Sequence, residues 1–270
     1  MTPQGNPPHE LSDLLPRFDV RGMDLSLDRM TIALEHLHQP ARSIPAVQVV
    51  GTNGKGSIAC LIHHGLMAAG LCSGLTTSPH LVSWCERIRV NDRLISITAL
   101  RQTLEHLQPL TEQCRLTPFE QLICSALIHF EAQRPDWLVL EAGLGGRLDA
   151  TTAHSWRPLI AVASIGMDHR EHLGPNLQAI ATEKAAAISE GAHVISANQE
   201  PEVSAVLEQR VNEVKGTLQW VDALDESWTL GLSGALQKRN GAVAAASLQW
   251  MSALSEGISS RAIREGFASA

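Results

Sequence analysis

The segment Gly51-Thr52-Asn53-Gly54-Lys55-Gly56-Ser57 constrains this chain more than any other. It follows Ala46-Val47-Gln48-Val49-Val50, a valine-rich run that reads as a buried strand, and it leads into an apolar stretch that reads as helix to about Ala69. Strand, glycine loop and helix in that order make a cradle for phosphate. Glycines let backbone N–H groups approach oxygens, the helix N-terminus adds positive potential, and the lysine brings a full charge. The loop departs from the pattern G-x-x-x-x-G-K-[ST] in two places: Val49 stands where the first glycine would fall, and Gly56 follows Lys55. A bare glycine turn is the competing reading, and the strand before and helix after disfavour it. A nucleotide-phosphate loop is expected.

The remaining chain alternates in the same manner. Ser26 is placed to cap a helix with Leu27, Met30, Leu34 and Leu37 at helical spacing, ending before Pro40. Leu71 to Thr77 reads as a short strand, and Arg87 to Val90 with Arg93 to Ile95 as a hairpin about Asn91-Asp92. Helices are expected near 97–114 and 118–134, then an apolar strand from Trp137 to Leu140 that delivers Glu141. A strand from Leu159 to Ile165, a helix from Leu177 to Ser189, a strand from His193 to Ser196 and helices near 201–214 and 239–254 follow. This order predicts an α/β fold, a mostly parallel sheet flanked by helices. Residues 1–20, polar and proline-rich at their start, are expected to be a poorly ordered lead-in to one domain over 21–270.

Composition narrows the partners. A net charge of −7 without a basic stretch argues against nucleic acid. No apolar run reaches membrane-spanning length. The five cysteines form no C-x-x-C pair, so reduced thiols and a cytoplasmic location are expected. Of the 21 basic residues only Lys55, Lys184, Lys215 and Lys238 are lysines, which draws attention to the two that stand in motifs.

In a parallel sheet, ligands sit outside the carboxyl ends of the strands. The glycine loop, Ser78, Glu141 and Asp168-His169 each follow an expected strand directly, so parallel strands would gather them on one edge. Glu141 and the Ser78 hydroxyl are the hard oxygen donors that Mg²⁺ takes beside phosphate oxygens. His169 stays open between a ligand and a capping residue. Lys184, next to Glu183, reads by itself as a surface charge. His36, His38, His63, His64 and His129 read as surface or packing residues.

These residues resemble the folylpolyglutamate synthase and dihydrofolate synthase family of the Mur ligase superfamily. The motifs that carry the likeness are Gly51 to Ser57, Ser78-Pro79-His80-Leu81, Glu86 to Asn91 and Thr117-Pro118-Phe119-Glu120. They continue with Glu141 to Thr151, Asp168-His169, Leu173-Gly174 and Glu183-Lys184-Ala185, in family order over about 24–246. The chain departs from the family's pattern at Thr152, Ala186, Ser233 and Leu236.

The resemblance implies the P-loop central domain of a Mur ligase, with the C-terminal domain absent. It implies an ATP-dependent ligase that adds L-glutamate to a folate, and also to dihydropteroate, through an acyl phosphate. Gly51, Thr52, Asn53, Gly54, Lys55, Gly56 and Ser57 would hold the ATP phosphates, with Gln237 and Asn240 near the adenine. Ser78 and Glu141 would hold one Mg²⁺; His169, with Glu141 and a carbamylated Lys184, a second. Ser78, His80, Arg87, Phe119, Asp149 and Ala150 would line the folate site. A monomer is implied. The alternatives are another Mur-type amino-acid ligase, or a nucleotide- and folate-binding piece without ligase activity.

Overall fold

The computed structural model describes residues 11–15 and 26–270. Helix α1 (Leu27–His36) leads to β1 (Ala46–Val50), the glycine loop and α2 (Lys55–Ala68). Next come β2 (Ser73–Thr76), β3 (Ile88–Val90), β4 (Arg93–Leu94), α3 (Ile97–Cys114), α4 (Pro118–Gln133) and β5 (Trp137–Glu141). The second half holds β6 (Leu159–Val162), α5 (Arg170–Leu173), α6 (Leu177–Ala185), β7 (His193–Ala197), α7 (Pro201–Glu213), β8 (Thr217–Val221), α8 (Gln237–Met251) and α9 (Ser260–Ser269).

All eight strands form one sheet in the order β4-β3-β2-β5-β1-β6-β7-β8. From β2 to β8 every neighbouring pair is parallel, and at the other edge β3 pairs antiparallel with both β2 and β4. The central strand β1 lies between β5 and β6, where the chain turns from building one half of the sheet to building the other. That reversal opens a crevice at the carboxyl ends.

Strand parity sets what each face meets. Val47 and Val49 of β1, with Trp137 and Val139 of β5, pack under α2, α8 and α9. On the other face two clusters lie side by side. Ala46, Leu138 and Leu140 pack against α1, α3 and α4, while Val50, Ile160 and Val162 pack against α6 and α7. Gln48, fully buried, stands between them. Helix α2 sits close to its neighbours through glycines: a Cβ on Gly65 would come within 2.2 Å of Leu248, and one on Gly266 within 2.6 Å of the His64 carbonyl.

Several expectations change. Ser26 occupies the N-cap position of α1 but makes no capping hydrogen bond. The strand from Leu159 ends at Val162, because Ser164 turns its carbonyl to Thr52 N–H (2.8 Å) and Asn53 N–H (3.1 Å) of the glycine loop. The helix from Leu177 ends at Ala185. Strand β8 and helix α9 were not anticipated. Of the expected lead-in only 11–15 lies within the described residues, and there Leu11 and Leu15 are buried in the α1–α3–α4 core. No helix of the described residues is long and apolar enough to cross a membrane.

Candidate active site

The four features that follow strands come together. Strands β2, β5, β1 and β6 are consecutive in the sheet, so Ser78, Glu141, the glycine loop and Asp168-His169 share one carboxyl edge.

Helix α2 starts on Gly54, whose φ of 98° is open to glycine, and no side chain caps it. A Cβ at Gly54 would stand 2.4 Å from the Asn240 carboxamide oxygen, so α8 closes tightly on the loop here. The amides of Thr52 and Asn53 are committed to Ser164, so an anion at this loop would meet the uncapped first turn of α2. Lys55 Nζ folds back to donate to the Gly51 and Thr52 carbonyls at 3.2 and 3.3 Å. Gln237 Nε2 donates to Ser57 Oγ at 3.2 Å, and Asn240 Nδ2 donates to Gln237 Oε1 at 3.1 Å. Gln237 and Asn240 therefore reach the loop itself.

Glu141 points from β5 toward α2. Its oxygens lie 3.5 and 3.6 Å from where a Cβ on Gly56 would stand, so the residue that departs from the usual loop pattern faces the carboxylate at contact distance. Ser78 N–H donates to Glu141 Oε2 at 3.0 Å. Burial pushes the Glu141 carboxyl up to about 7, against the opposing pull of the Ser78 N–H, Lys55 and Arg87.

The loop from Ser78 to Arg87 is built on two side chains. Glu86 accepts the N–H groups of Leu81, Val82 and Ser83 at 2.8, 2.9 and 2.6 Å. Arg87, buried, donates to Ser78 Oγ at 3.2 Å and to His80 Nδ1 at 2.8 Å. Trp84 lies against both, its ring 4.4 Å from that of His80 and 5.3 Å from the guanidinium.

Lys184 is not the surface charge that its neighbour Glu183 suggested. Glu183 pairs with Arg147 at 2.8 Å, while Lys184 is 2% exposed and donates to the Gly51 carbonyl at 2.9 Å. Two lysines thus converge on one loop carbonyl. Burial, then repulsion from Lys55, lowers the Lys184 ammonium to about 8. His169 is more remote. It opens α5 in a left-handed conformation (φ 43°), half-exposed, with the Asp168 carboxylate at 3.4 Å, in a shallow cleft of about 380 Å³.

Phe119 packs against the glycine run after Glu141, where a Cβ on Gly143 would meet it at 2.7 Å. Asp149 and Ala150 are each 3% exposed. The Asp149 carboxylate is saturated by Gly143 N–H (2.8 Å), Leu144 N–H (2.9 Å), Thr151 N–H (2.9 Å) and Thr151 Oγ1 (2.5 Å). Both are turned inward in this structure. Asp149 caps the short turn that begins at Ala150, its carboxylate accepting from Thr151 N–H. Among the described residues, no three His, Cys, Asp or Glu side chains form a ready metal cluster. The hard oxygens of Glu141 and Ser78 nevertheless suit a cation that takes its remaining ligands from phosphate and water.

No protein-family model matches the chain. The chain is 33% identical over 264 residues to the dihydrofolate synthase/folylpolyglutamate synthase of Escherichia coli, covering 92% of this chain and 61% of that one. It is 39% identical over 194 residues to the Bacillus subtilis protein of the same name, covering 69% and 45%. With the dihydrofolate synthetase of Saccharomyces cerevisiae the figures are 34% over 207 residues, 74% and 48%. The chain spans about half the length of these curated relatives. Among solved structures, an FPGS–AMPPCP–folate complex matches with a TM-score of 0.86 at 26% identity, covering 97% of this chain and 71% of that one. The Mycobacterium tuberculosis folylpolyglutamate synthase complexed with ADP and AMPPCP matches at 0.82 and 28%, covering 90% and 62%.

Proposed function

Because the chain belongs to the folylpolyglutamate synthase/dihydrofolate synthase family, we propose that it binds ATP on the Gly51–Ser57 loop and serves ligation of L-glutamate to a folate. The observation that carries this reading is the adjacency of β2, β5, β1 and β6, which puts Ser78, Glu141, the loop and His169 on one edge.

The chemistry asks for an activated carboxylate. A free carboxylate is a poor electrophile. Transfer of the ATP γ-phosphoryl group to its oxygen gives an acyl phosphate and ADP. The glutamate amine then attacks the acyl carbon, the C–N bond forms as the C–O bond breaks, inorganic phosphate leaves and the amine loses a proton. A loose, highly charged transition state of this kind is stabilised by cations and oriented N–H groups. Here the uncapped start of α2 offers the N–H groups, and Lys55, released from the Gly51 and Thr52 carbonyls, offers a mobile cation. Arg87 holds the Ser78 hydroxyl from one side and leaves its oxygen a lone pair for a metal.

Mg²⁺, when bound, neutralises phosphate charge. Glu141 and Ser78 would hold one ion, and Glu141, His169 and a carbamylated Lys184 a second. Carbamylation turns the buried ammonium into an anion, and the lowered pKa of Lys184 favours the neutral amine that reacts with CO₂. Phe119, His80 and Arg87 are assigned to the folate side. Dihydropteroate as a second acceptor and a monomeric state complete the reading.

The test starts with titration of a non-hydrolysable ATP analogue with and without Mg²⁺, followed by phosphate release and product formation with glutamate and tetrahydrofolate or dihydropteroate. Mg²⁺-dependent binding with folate-dependent turnover is expected. Turnover only with a muropeptide acceptor would move the chain to another branch of the superfamily. Binding without any turnover would leave a nucleotide-binding protein.

A further inference from the structure

One buried polar cluster has no part in the chemistry above. Gln48 sits at the middle of β1, in register with Leu140 of β5 and Ile160 of β6, at the seam between two apolar clusters. An amide in such a place needs every hydrogen bond it can make. Its Nε2 donates to Thr151 Oγ1 and Thr152 Oγ1, both at 2.8 Å, and its Oε1 accepts from Arg157 Nη1. The guanidinium can only donate, so the amide orientation is fixed.

From Gln48 the bonds lead in one direction. Thr151 Oγ1 donates a hydrogen bond to Asp149, and Asp149 in turn accepts from the N–H groups of Gly143 and Leu144, two and three residues after Glu141. Thr152 Oγ1 donates to the Gly146 carbonyl at 2.7 Å. Gly146 packs on the backbone of Lys184, where a Cβ would lie 2.6 Å from the Lys184 carbonyl, and Arg147 N–H bonds to the Glu183 carbonyl at 3.0 Å. Arg157 anchors the far end through the Ala187 carbonyl (2.6 Å) and the His154 carbonyl (2.9 Å). Buried cation and buried carboxylate are thus joined through an amide and a hydroxyl, with no charge left without a partner.

We propose that Gln48, Thr151, Thr152 and Arg157 are positioning residues that lock the 143–146 loop, and through it set the placement of Glu141 against Lys184. The proposal rests on the reading of those two side chains as the metal-facing groups. A chain of this kind tunes a metal site as supporting partners do elsewhere, without touching substrate.

Thr152→Val is the sharpest test, because it keeps the side-chain shape and removes only the hydroxyl between Gln48 and Gly146. Amide exchange should speed up about tenfold over 142–147 and stay unchanged elsewhere in the sheet, and affinity for Mg²⁺ with an ATP analogue should fall about tenfold. Affinity for the analogue in EDTA should hold, and Thr152→Ser should restore both readouts. Should Thr152→Val fail to fold, Gln48→Glu, which keeps the Arg157 contact and loses the donor to both threonines, carries the same expectations. Exchange that rises evenly over the whole sheet, or not at all over 142–147, overturns the proposal. If the wild type binds no nucleotide with or without Mg²⁺, the functional reading falls, and the exchange pattern alone decides the positioning role.

Discussion

Burial raises the Glu141 carboxyl from an ordinary 4.5 to about 7, although an N–H and two cations favour its charge. Between those values the folded protein keeps a proton that the unfolded chain has released. Stability of the ligand-free protein therefore falls as pH rises through that window, and the deficit is complete above it. Glu141→Gln keeps an oxygen for the Ser78 N–H and removes the charge. It should raise the thermal midpoint at pH 8, by about 1–3 kcal/mol of stability, while abolishing Mg²⁺-dependent turnover. A lower midpoint at pH 8 would contradict this account. Lys184 has the opposite sign. Its folded value of about 8, against 10.5, means fewer bound protons in the folded state, so stability should rise with pH across that interval. At pH 8 about half of the amine is neutral. Labelled bicarbonate should then give a carbamate carbon signal that Lys184→Gln lacks; a signal that survives the substitution would place the reaction elsewhere.

At the scale of elements, the start of α2 decides what the site admits. Gly56→Ala suits a helix and meets Glu141 only at 3.5 Å, so the variant should fold with an unchanged or higher midpoint. The new methyl group would lie in van der Waals contact with the carboxylate and take space beside it that a hydrated cation needs, so affinity for the Mg²⁺–nucleotide pair should fall about tenfold. Affinity equal to the wild type would separate Gly56 from the metal site. Gly146→Ala differs in kind, because its Cβ would lie 2.6 Å from backbone of α6 that cannot yield. Loss of about 1–3 kcal/mol in denaturant unfolding is expected, and a neutral effect would count against the tight packing of loop on helix. Loop, strands and the shared edge were legible in the sequence, since Gly51–Ser57 and the short apolar runs are local signals. The burial of Lys184 was legible too, had its helix been read by face: Ile180, Ala181 and Ala185, the other residues buried in α6, share its stripe. The role of Gln48 was not, because an amide among valines says nothing about which loop will answer it.

Over the whole molecule, alternation of strands and helices was enough to indicate a parallel sheet, but it missed the end of the chain. Helix α9 buries Ala262, Ile263, Gly266 and Phe267 on one face, a helical spacing that was legible in the sequence, whereas β8 is a partly exposed edge strand with a weak apolar pattern. A protein of net charge −7 brings the cations Lys55, Lys184 and Arg87 to the crevice at the middle of its sheet, beside the carboxyl groups of Glu141, Asp149 and Asp168. On the proposed reading the nucleotide would be held by the loops of four strands at once, and only in the folded state. Mg²⁺ and an ATP analogue at about a hundred times their dissociation constant should therefore add about 2.7 kcal/mol to the stability of the whole fold. For a domain of this size that corresponds to a midpoint roughly 5 °C higher or more in a thermal scan. Lys55→Met should remove most of the gain without lowering the ligand-free midpoint, since among the described residues Lys55 bonds only to loop carbonyls, at 3.2 and 3.3 Å. A gain that persists in Lys55→Met would put the nucleotide somewhere other than the carboxyl edge of β1.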